Sequence, residues 1–285
     1  MKKMTTQNTQ APRVLVAIVC SLIATCSLAA DQFGMEGRLR ELAEAEHRQE
    51  GHAARNVYRH PTETLIFFGI QPDMTVVEMV PGGGGWYTEI IAPFLRESGR
   101  YYAANYDPVS SQEYYRRNAR RFVDKLAENL ELYDHTIVTV FAPPLKMDIA
   151  PPASADMIVT FRNVHNWLGM GAEAPQAAFD AMFRALKPGG VLGVVQHRED
   201  PGNPQDPTGD SGYVREDVVI GYAEQAGFEL AAQSEINANP KDTKDYPEGV
   251  WTLPPNFELG DQDRDKYLAI GESDRMTLRF VKPMQ

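Results

Sequence analysis

Cysteine is almost absent from this chain. Its two cysteines, Cys20 and Cys26, both lie within the first 30 residues, so a chain without that segment has none. A protein without cysteine forms no disulfide and offers no thiolate to a substrate or to a zinc ion. Cysteine proteases, thiol oxidoreductases and cysteine-ligated zinc sites are therefore excluded.

Positive charge is also scarce. The 28 lysines and arginines face 39 aspartates and glutamates, which gives a formal net charge of −11. Nucleic acids and anionic lipid surfaces are bound by clustered basic side chains. This composition therefore argues against nucleic acid as a partner and favours a small molecule, and it leaves the oligomeric state open.

Long hydrophobic runs are missing apart from one, at residues 14–24, which is too short to span a bilayer comfortably. It follows basic residues and precedes small residues that end at Ala29 and Ala30. This order is typical of a secretory signal peptide. We therefore expect residues 1–30 to be cleaved after Ala29 or Ala30, and the remaining chain to be exported to the periplasm with no stable membrane span. A lipid anchor at Cys26 is a less favoured alternative, because a lipid-modified cysteine normally follows a smaller residue than threonine.

Strand and helix patterns alternate along the rest of the chain, which is long enough for one large domain. This alternation implies an α/β fold: a Rossmann-like, doubly wound, mostly parallel seven-stranded sheet with helices on both faces. We expect a helical segment at residues 31–70 and the sheet domain at residues 71–285, in which residues 234–274 form a long loop over the site. Residues 75–80 are β-branched and short, as expected of a buried parallel strand, and further strands are predicted at residues 101–105, 136–141, 156–161, 191–196, 228–231 and 276–281.

Local signals refine this outline. Charged, helix-favouring residues predict a helix over residues 36–50, and Pro61 and Gly69 are suited to the start and end of a second helix. Apolar residues at positions 90, 91, 94 and 95 mark one face of a third helix, and residues 110–113, Ser-Ser-Gln-Glu, have the spacing of a capping box before a fourth. Residues 187–190, Lys-Pro-Gly-Gly, predict a turn before the fifth strand.

Glycines follow the first predicted strand at once. Residues 78–85 read Glu-Met-Val-Pro-Gly-Gly-Gly-Gly. A strand, a glycine turn and a helix together place backbone amides at a helix N-terminus, where a ligand can approach them. Consecutive glycines also remove every Cβ from the loop, so the main chain can lie against a flat or bulky ligand. This pattern favours a ligand site, and a tight turn without a ligand is the alternative.

The chain resembles the class I S-adenosylmethionine-dependent methyltransferases. Residues 78–84 are similar to their first motif, residues 156–159 to the motif of the fourth strand, and residues 186–192 to the turn before the fifth strand. Arg-Asn-Val at residues 162–164 resembles the quinone-biosynthesis C-methyltransferases. The resemblance spans residues 75–230 and is greatest to a group of predicted exported methyltransferases with a glycine-rich first motif. It implies S-adenosyl-L-methionine as the cofactor and an antiparallel last strand.

The resemblance also implies which residues bind the cofactor. Asn105 or Asp107, at the end of the second strand, takes the place of the acidic residue that binds the ribose hydroxyls. Arg162 and Asn163 follow the fourth strand and either bind the cofactor's carboxylate or hold their loop in place. This chain departs from the family at Val80, where the family has its first glycine, and after the third strand, where we find no adenine-contacting acidic residue. The predicted cofactor-binding set is Glu78, Pro81, Gly82, Gly83, Gly84, Trp86, Asn105, Asp107, Arg162 and Asn163.

Methyl transfer is an in-line displacement, so positioning supplies much of the acceleration. His165 and His197 follow predicted strands, and either imidazole can take a proton from an oxygen or nitrogen acceptor. We select His165 as the catalytic candidate, with a histidine that only holds a strand end as the alternative. Trp86 and Trp167, in predicted loops, offer aromatic faces to a sulfonium or an adenine ring. The spacing of the other histidines matches no metal site, so no metal is expected.

Two functions of different classes fit these features. The first is methyl transfer to a small or lipophilic acceptor molecule. The second is non-catalytic binding of a nucleoside or another metabolite by a protein that keeps the fold, which the departures at Val80 and Asn105 would permit. A nicotinamide-dependent oxidoreductase fits less well, because Tyr87 stands where a dinucleotide-binding loop has a small residue.

Overall fold

A computed structural model describes Met1 and residues 33–284, so the expected leader at residues 1–30 lies outside the described part. All seven strands expected from the sequence are present there, together with a two-residue strand that was not expected. The strands are β1 (Thr75–Met79), β2 (Arg100–Asn105), β3 (Thr136–Val140), β4 (Ala155–Phe161), β5 (Leu186–Glu199), β6 (Val214–Arg215), β7 (Glu229–Ser234) and β8 (Arg275–Val281).

The seven longer strands form one sheet in the order β3-β2-β1-β4-β5-β8-β7, and β6 pairs with the end of β5. Strands β1 to β5 are parallel, whereas β8 is antiparallel to both of its neighbours, β5 and β7. The Rossmann-like, doubly wound fold and its antiparallel last strand are therefore confirmed. Because β1, β2, β4 and β5 run the same way, their carboxyl ends meet at one edge of the sheet.

Helices cover both faces of this sheet. They are α1 (residues 33–44), α2 (Asn56–Arg59), α3 (Pro61–Phe68), α4 (Thr88–Leu95), α5 (Glu113–Glu128), α6 (Leu130–Tyr133), α7 (Val164–Gly169), α8 (Ala174–Ala185), α9 (Glu216–Ala226) and α10 (Arg264–Ile270). Successive residues of a strand point to opposite faces, so Val76 and Val77 enter different cores. The core around Val76 is shared with α1, α3 and α4, and the core around Val77 with α7, α8 and α9.

Of the two predicted N-terminal helices, one has the predicted ends and the other is shorter than predicted. As predicted, α3 begins at Pro61 and is capped by Gly69, whose φ of 87° is the left-handed conformation that glycine favours. The predicted helix over residues 36–50 ends earlier, because α1 stops at residue 44. After α1 the chain turns so that the Arg48 side chain reaches the buried Glu89, an interaction that a straight helix would not make.

Two other local predictions are wrong. No side chain caps α5; Ser110 Oγ accepts a hydrogen bond from the Gln112 amide, and Glu113 pairs with Arg116 instead of reaching back. Residues 187–190 lie inside β5, where they form a bulge that the Gly189 amide ties to the chain after β8. Within residues 33–284, no helix is both long enough and apolar enough to cross a membrane.

Candidate functional site

The carboxyl ends of β1, β2, β4 and β5 enclose a cavity of about 180 Å³, which we call the strand-end cavity. Open α/β sheets bind their ligands at this edge. Trp251 enters the lining from a short 3-10 helix, Gly249–Thr252, in the long segment between β7 and β8. The lining residues are Glu78, Val80, Pro81, Gly82, Trp86, Tyr87, Tyr106, Tyr114, Phe161, Arg162, Asn163, His165, Asn166, His197 and Trp251.

A second cavity, of about 390 Å³, adjoins the first at Tyr106, and we call it the outer cavity. It lies beyond the ends of β2 and β3 and also touches the end of α7. The Tyr106 ring stacks on Tyr115, with ring centroids 4.7 Å apart, and so forms an aromatic wall between the two spaces. The two cavities therefore follow one another along the sheet edge, from the end of β5 to the end of β3.

The loop after β1 brings backbone, more than side chains, to the strand-end cavity. Val80 has a φ of 44° and Gly82 a φ of 72°, which is the left-handed region that favours glycine. No atom lies within 4 Å of the place where a Gly82 Cβ would be, so this glycine faces open space. At Gly83, by contrast, a Cβ would lie 2.8 Å from Asn118 Oδ1 of α5. Gly82 thus leaves room in the cavity, and Gly83 allows the loop to pack on α5.

Glu78 is a buried acid near the end of β1. One carboxylate oxygen accepts hydrogen bonds from Thr88 Oγ1, at 3.0 Å, and from the Tyr101 hydroxyl. Burial raises the pKa of Glu78 to about 7, because the charged carboxylate would lose its water shell. The wall of the strand-end cavity therefore contains a carboxyl group that changes its protonation near neutral pH.

Asn105 and Asp107 differ in what they offer to a ligand. Asn105 is buried; its Oδ1 accepts a hydrogen bond from the Tyr106 amide, and its Nδ2 has no partner within residues 33–284. Asp107 lines the outer cavity and forms an ion pair with Lys146, with a nitrogen-to-oxygen distance of 2.6 Å. The hydrogen bond from Lys146 lowers the pKa of Asp107, which keeps the carboxylate charged.

Trp86 lines the strand-end cavity, but its ring already contacts two cations. The guanidinium carbons of Arg48 and Arg59 lie 4.4 Å and 4.7 Å from the ring centroid. Its indole nitrogen donates a hydrogen bond to the His52 carbonyl at 3.2 Å. Aromatic faces attract cations of this kind. The contact of Trp86 with a sulfonium or an adenine ring stays a prediction.

Arg162 and Asn163 follow β4 and behave differently. Arg162 lines the strand-end cavity, and within residues 33–284 its guanidinium group forms no hydrogen bond or ion pair. Burial lowers the pKa of Arg162 to about 10, so the group stays charged at neutral pH. The Asn163 amide instead donates hydrogen bonds to the Met79 carbonyl, at 2.8 Å, and to Thr160 Oγ1, at 3.1 Å. Asn163 therefore holds its loop against the ends of β1 and β4.

His165 is buried, and Gln196 determines which of its ring nitrogens carries the proton. Gln196 Oε1 accepts a hydrogen bond from the Val164 amide, and Gln196 Nε2 donates one to the Gly212 carbonyl, so both ends of the amide are assigned. The Gln196 amino group therefore faces His165 Nδ1, at 3.2 Å, and makes that nitrogen an acceptor. Burial lowers the pKa of His165 to about 4. The ring is consequently neutral, with its proton on Nε2, which has no partner in the described part of the chain.

His197 and Trp251 complete this end of the cavity. The ring centroids of His165 and His197 are 5.5 Å apart, and the Trp251 ring lies 5.5 Å from His165 and 6.4 Å from His197. His197 Nδ1 is hydrogen-bonded to the Ser273 hydroxyl. Trp167, expected in a loop, lies instead in α7 and is fully buried in the core, away from both cavities.

A cluster of arginines lies behind the wall of the strand-end cavity. Arg55, Arg59 and Arg275 all donate hydrogen bonds to one buried carboxylate, Glu272, whose pKa is held well below its usual range despite its burial. Both Arg59 Nη atoms and Arg275 Nε are buried and have no hydrogen-bond partner among the described residues. Burial lowers the pKa of His197 well below its usual value, and the neighbouring His165 and then the charges of Arg275, Arg162 and Arg59 lower it further.

The structure thus brings together most of the residues expected from the sequence. Asp107 lines the outer cavity, while Gly83, Gly84 and Asn105 are in neither lining. Those that line the strand-end cavity are His165, Glu78, Pro81, Gly82, Trp86, Arg162 and Asn163.

The sequence did not identify several cavity residues. Tyr106 and Phe161 stand at strand ends, and that position alone could have indicated them. The Arg59 and Glu272 pair has no such signal, because its members are 213 positions apart.

Comparison with solved structures shows the same fold. The chain superposes on a SAM-dependent methyltransferase from Aquifex aeolicus with a TM-score of 0.51 and 17% identity, covering 87% of this chain and 98% of that one. The fold is that of the S-adenosylmethionine-dependent methyltransferases. Phosphoethanolamine N-methyltransferase 2 from Haemonchus contortus, in complex with S-adenosyl-L-methionine, superposes with a TM-score of 0.52 and 13% identity over 87% of this chain and 60% of that one.

The same fold is found in a protein named for a different reaction. The [4+2]-cyclase SpnF superposes with a TM-score of 0.51 and 18% identity, covering 85% of this chain and 86% of its own. No protein-family model matches the sequence, and a search of curated proteins finds no match. The fold is therefore established, and the reaction has to be inferred from the site.

Proposed function

We propose that this protein transfers a methyl group from S-adenosyl-L-methionine to a small acceptor. The observation that carries the proposal is the pair of adjoining cavities at the carboxyl ends of the strands, one at the open side of Gly82 and the other beyond Tyr106. The methyltransferase fold and the glycine loop after β1 support it. The acceptor atom is a separate question, which the further inference below addresses.

The two cavities fit the two parts of this cofactor. The outer cavity, with Asp107 and the aromatic Tyr115 and Phe141 in its lining, has the size and chemistry for a nucleoside. In this arrangement Asp107 takes the ribose hydroxyls, because its carboxylate lines the cavity and Asn105 does not. The amino-acid part then lies beside Gly82 and the loop after β1. Bound there, the cofactor supplies an electrophilic methyl group on a sulfonium.

The residues of this chain act by positioning. The sheet edge holds the acceptor at the β4 and β5 end, where His165 and His197 lie, in line with the methyl group at the β1 end. Tyr87 stacks on Phe161 with ring centroids 3.5 Å apart, and these packed rings exclude water from the reacting atoms. His165 stays in the proposal as a residue that contacts the acceptor, with its proton on Nε2.

A non-catalytic role is the second candidate function. It is favoured by Val80, whose side chain lines the cavity where the family has glycine, and by the ion pair between Lys146 and Asp107, which a ribose would have to share. In this alternative the strand-end cavity and the outer cavity bind a nucleoside or a related metabolite without reaction.

Isothermal titration calorimetry with S-adenosylmethionine, S-adenosylhomocysteine and NADH tests these functions. We expect both adenosyl ligands to bind with micromolar dissociation constants and NADH not to bind. Gly82→Ala should weaken S-adenosylhomocysteine binding at least tenfold, about 1.4 kcal/mol, because its Cβ enters the cavity.

Gly260→Ala is the matched control. Gly260 also has a positive φ, of 62° against 72° for Gly82, and also faces open space, so it carries the same backbone strain away from the cavity. Equal losses in both variants, or no binding of S-adenosylhomocysteine to the wild type, would contradict the proposal. Binding without turnover on any acceptor would favour the second function.

A further inference from the structure

We propose that the acceptor binds as an oxyanion, the conjugate base of a small acidic molecule such as a phenol, at the β4 and β5 end of the strand-end cavity, with Arg162 and His165 Nε2 as its donors. This inference rests on the proposed methyl transfer and specifies its substrate class. It gives Arg162 a different partner from the cofactor carboxylate expected from the family resemblance.

The first support is an excess of positive charge at the cavity, from two buried arginines, Arg59 and Arg275, and two partly buried ones, Arg55 and Arg162. Four arginines lie at or just behind the cavity wall, and their one constantly ionised carboxylate partner is Glu272. Glu78 adds a negative charge only as the pH rises through about 7. Buried charges that lack partners cost several kcal/mol. An anion in the cavity removes part of this cost.

The proposed cofactor does not compensate the positive charge of the arginines. S-adenosylmethionine carries a sulfonium, an ammonium and a carboxylate, so its binding adds a positive charge to a site that already has an excess. A neutral or cationic acceptor would leave all of this charge uncompensated. An anionic acceptor gives both the protein and the bound cofactor an opposite charge at short range.

The second support is the fixed proton of His165. Because Gln196 donates to His165 Nδ1, the free Nε2 carries hydrogen and can only donate. Since the ring is neutral at physiological pH, it is not a proton acceptor in this tautomer. A donor without a partner beside an unpaired guanidinium group is complementary to an oxygen that has already lost its proton.

The third support is the shape of this end of the cavity. Aromatic rings line it, namely Trp251, Tyr87 and Phe161. The flat aromatic walls suit a single planar ring. A phenolate combines this shape with the required charge.

The transfer step balances without a base. The acceptor oxygen forms a bond to the methyl carbon, the bond from that carbon to sulfur breaks, and its electron pair remains on sulfur as a neutral thioether. The oxyanion becomes a neutral ether, and no proton moves. This explains how a site with a neutral, proton-donating histidine can support the reaction.

The test uses 4-nitrophenol, whose phenolate absorbs visible light, and 4-nitroaniline, a neutral probe of the same size. We expect the phenolate to bind at least tenfold more tightly than 4-nitroaniline at pH 8, and the absorbance titration of bound 4-nitrophenol to shift to lower pH by at least about one unit. Equal affinity for the two probes, no binding of 4-nitrophenol at millimolar concentration, or an unshifted titration would overturn the proposal.

Variants identify the donors. Arg162→Gln should weaken phenolate binding at least tenfold and leave 4-nitroaniline unchanged, while Arg120→Gln, at a position with 84% side-chain exposure, should change neither. His165→Leu should lose about tenfold in phenolate affinity, and His165→Gln, which keeps an N–H donor, should recover most of it. Circular dichroism spectra check that each variant is folded. If Arg162→Gln weakens S-adenosylhomocysteine and not the phenolate, this assignment of Arg162 is wrong.

The two proposals fail separately. Phenolate binding without S-adenosylhomocysteine binding would contradict the methyl transfer and leave an anion site. Binding of S-adenosylhomocysteine without the phenolate would preserve the cofactor proposal and contradict the oxyanion acceptor.

Discussion

At the scale of the residue, Val80 is a strained position in the wall of the strand-end cavity. Its φ of 44° is left-handed, and its side chain is 6% exposed and lines the strand-end cavity. A β-branched residue in this region is disfavoured by about 1–2 kcal/mol. The surrounding contacts compensate for that strain, and the valine narrows the cavity where glycine would widen it.

We predict that Val80→Gly is more stable than Val80→Ala by about 1 kcal/mol. Both changes remove the two buried methyl groups; glycine also removes Cβ, but alanine keeps the left-handed penalty and glycine does not. Urea denaturation of the two variants measures the difference. At Val76, in β1 and equally buried, the order should reverse, because glycine weakens an ordinary strand. A lower stability of glycine than alanine at both positions would contradict the prediction.

Site residues could be predicted from the sequence where they follow a strand of the parallel sheet. Gly82 and His165 directly follow buried strands, and strands of a parallel sheet end at one edge, so their meeting followed from the pattern. The proton on His165 Nε2 did not, because it depends on Gln196 and on the backbone of Gly212. The role of Trp251 was also hidden, since the long segment before β8 has no periodicity that fixes its path.

At the scale of the element, a buried ion cluster fastens the N-terminal segment to the sheet domain. Glu89 in α4 accepts hydrogen bonds from Arg48 Nε, at 3.1 Å, from His52 Nδ1, at 2.8 Å, and from the Gln49 amide, at 2.9 Å. Lys125 of α5 and the Gln49 amide bind one carboxylate oxygen, and Arg48 and His52 bind the other. These contacts hold residues 48–52 beside the glycine loop, where a Cβ on Gly84 would meet the His52 ring.

We predict that Glu89→Gln lowers the free energy of unfolding by about 3–5 kcal/mol at pH 7, because it leaves Arg48 buried without its charge partner. Glu97→Gln, which removes a carboxylate with 83% side-chain exposure, should cost less than 1 kcal/mol. Urea denaturation measures both.

The effect should depend on pH in a defined direction. His52 and Lys125 hydrogen bonds lower the pKa of Glu89 to about 2 against burial, so its contribution is complete above the unfolded pKa near 4.5 and is lost as the pH falls towards 2. The gap between wild type and Glu89→Gln should therefore narrow in acid. A gap that widens below pH 4 would contradict this account.

Strands were more predictable than the segments between them. Short, mostly apolar runs between turns and helical patterns predicted all seven longer strands, and the signal was clearest for β1 and β4, which are buried between parallel neighbours. The early end of α1 was not predictable, because it depends on the distant Glu89. Nor was the bulge at residues 187–190, where a Lys-Pro-Gly-Gly sequence reads as a turn but β8 on one side and β4 on the other keep it in the sheet.

At the scale of the whole molecule, charge is divided between surface and interior. The chain has a formal net charge of −11, yet arginines outnumber carboxylates around the strand-end cavity. An acidic exterior keeps anionic polymers away, while a small anion can be held inside. Removal of the leader would make the net charge of the chain more negative, because residues 1–30 contain basic residues and no acidic ones.

We propose that residues 1–30 direct export, and we predict that fusing them to a reporter enzyme active only outside the cytosol gives active reporter in a bacterial host. A matched fusion with Val16→Asp and Ile18→Asp should be inactive, because charges interrupt the apolar run that a signal peptide requires. Equal reporter activity from both fusions, or none from the natural segment, would contradict export.

Trp251 has a practical consequence for anyone who studies this protein in solution. Its indole lines the strand-end cavity beside two histidine rings, whereas Trp167 is sealed in the core and Trp86 is held against arginines. The molecule therefore contains its own fluorophore at the place where a ligand arrives. Occupancy of the strand-end cavity can be followed by emission without attaching a dye, and comparison with Trp251→Phe separates the Trp251 signal from that of Trp86, which lines the same cavity.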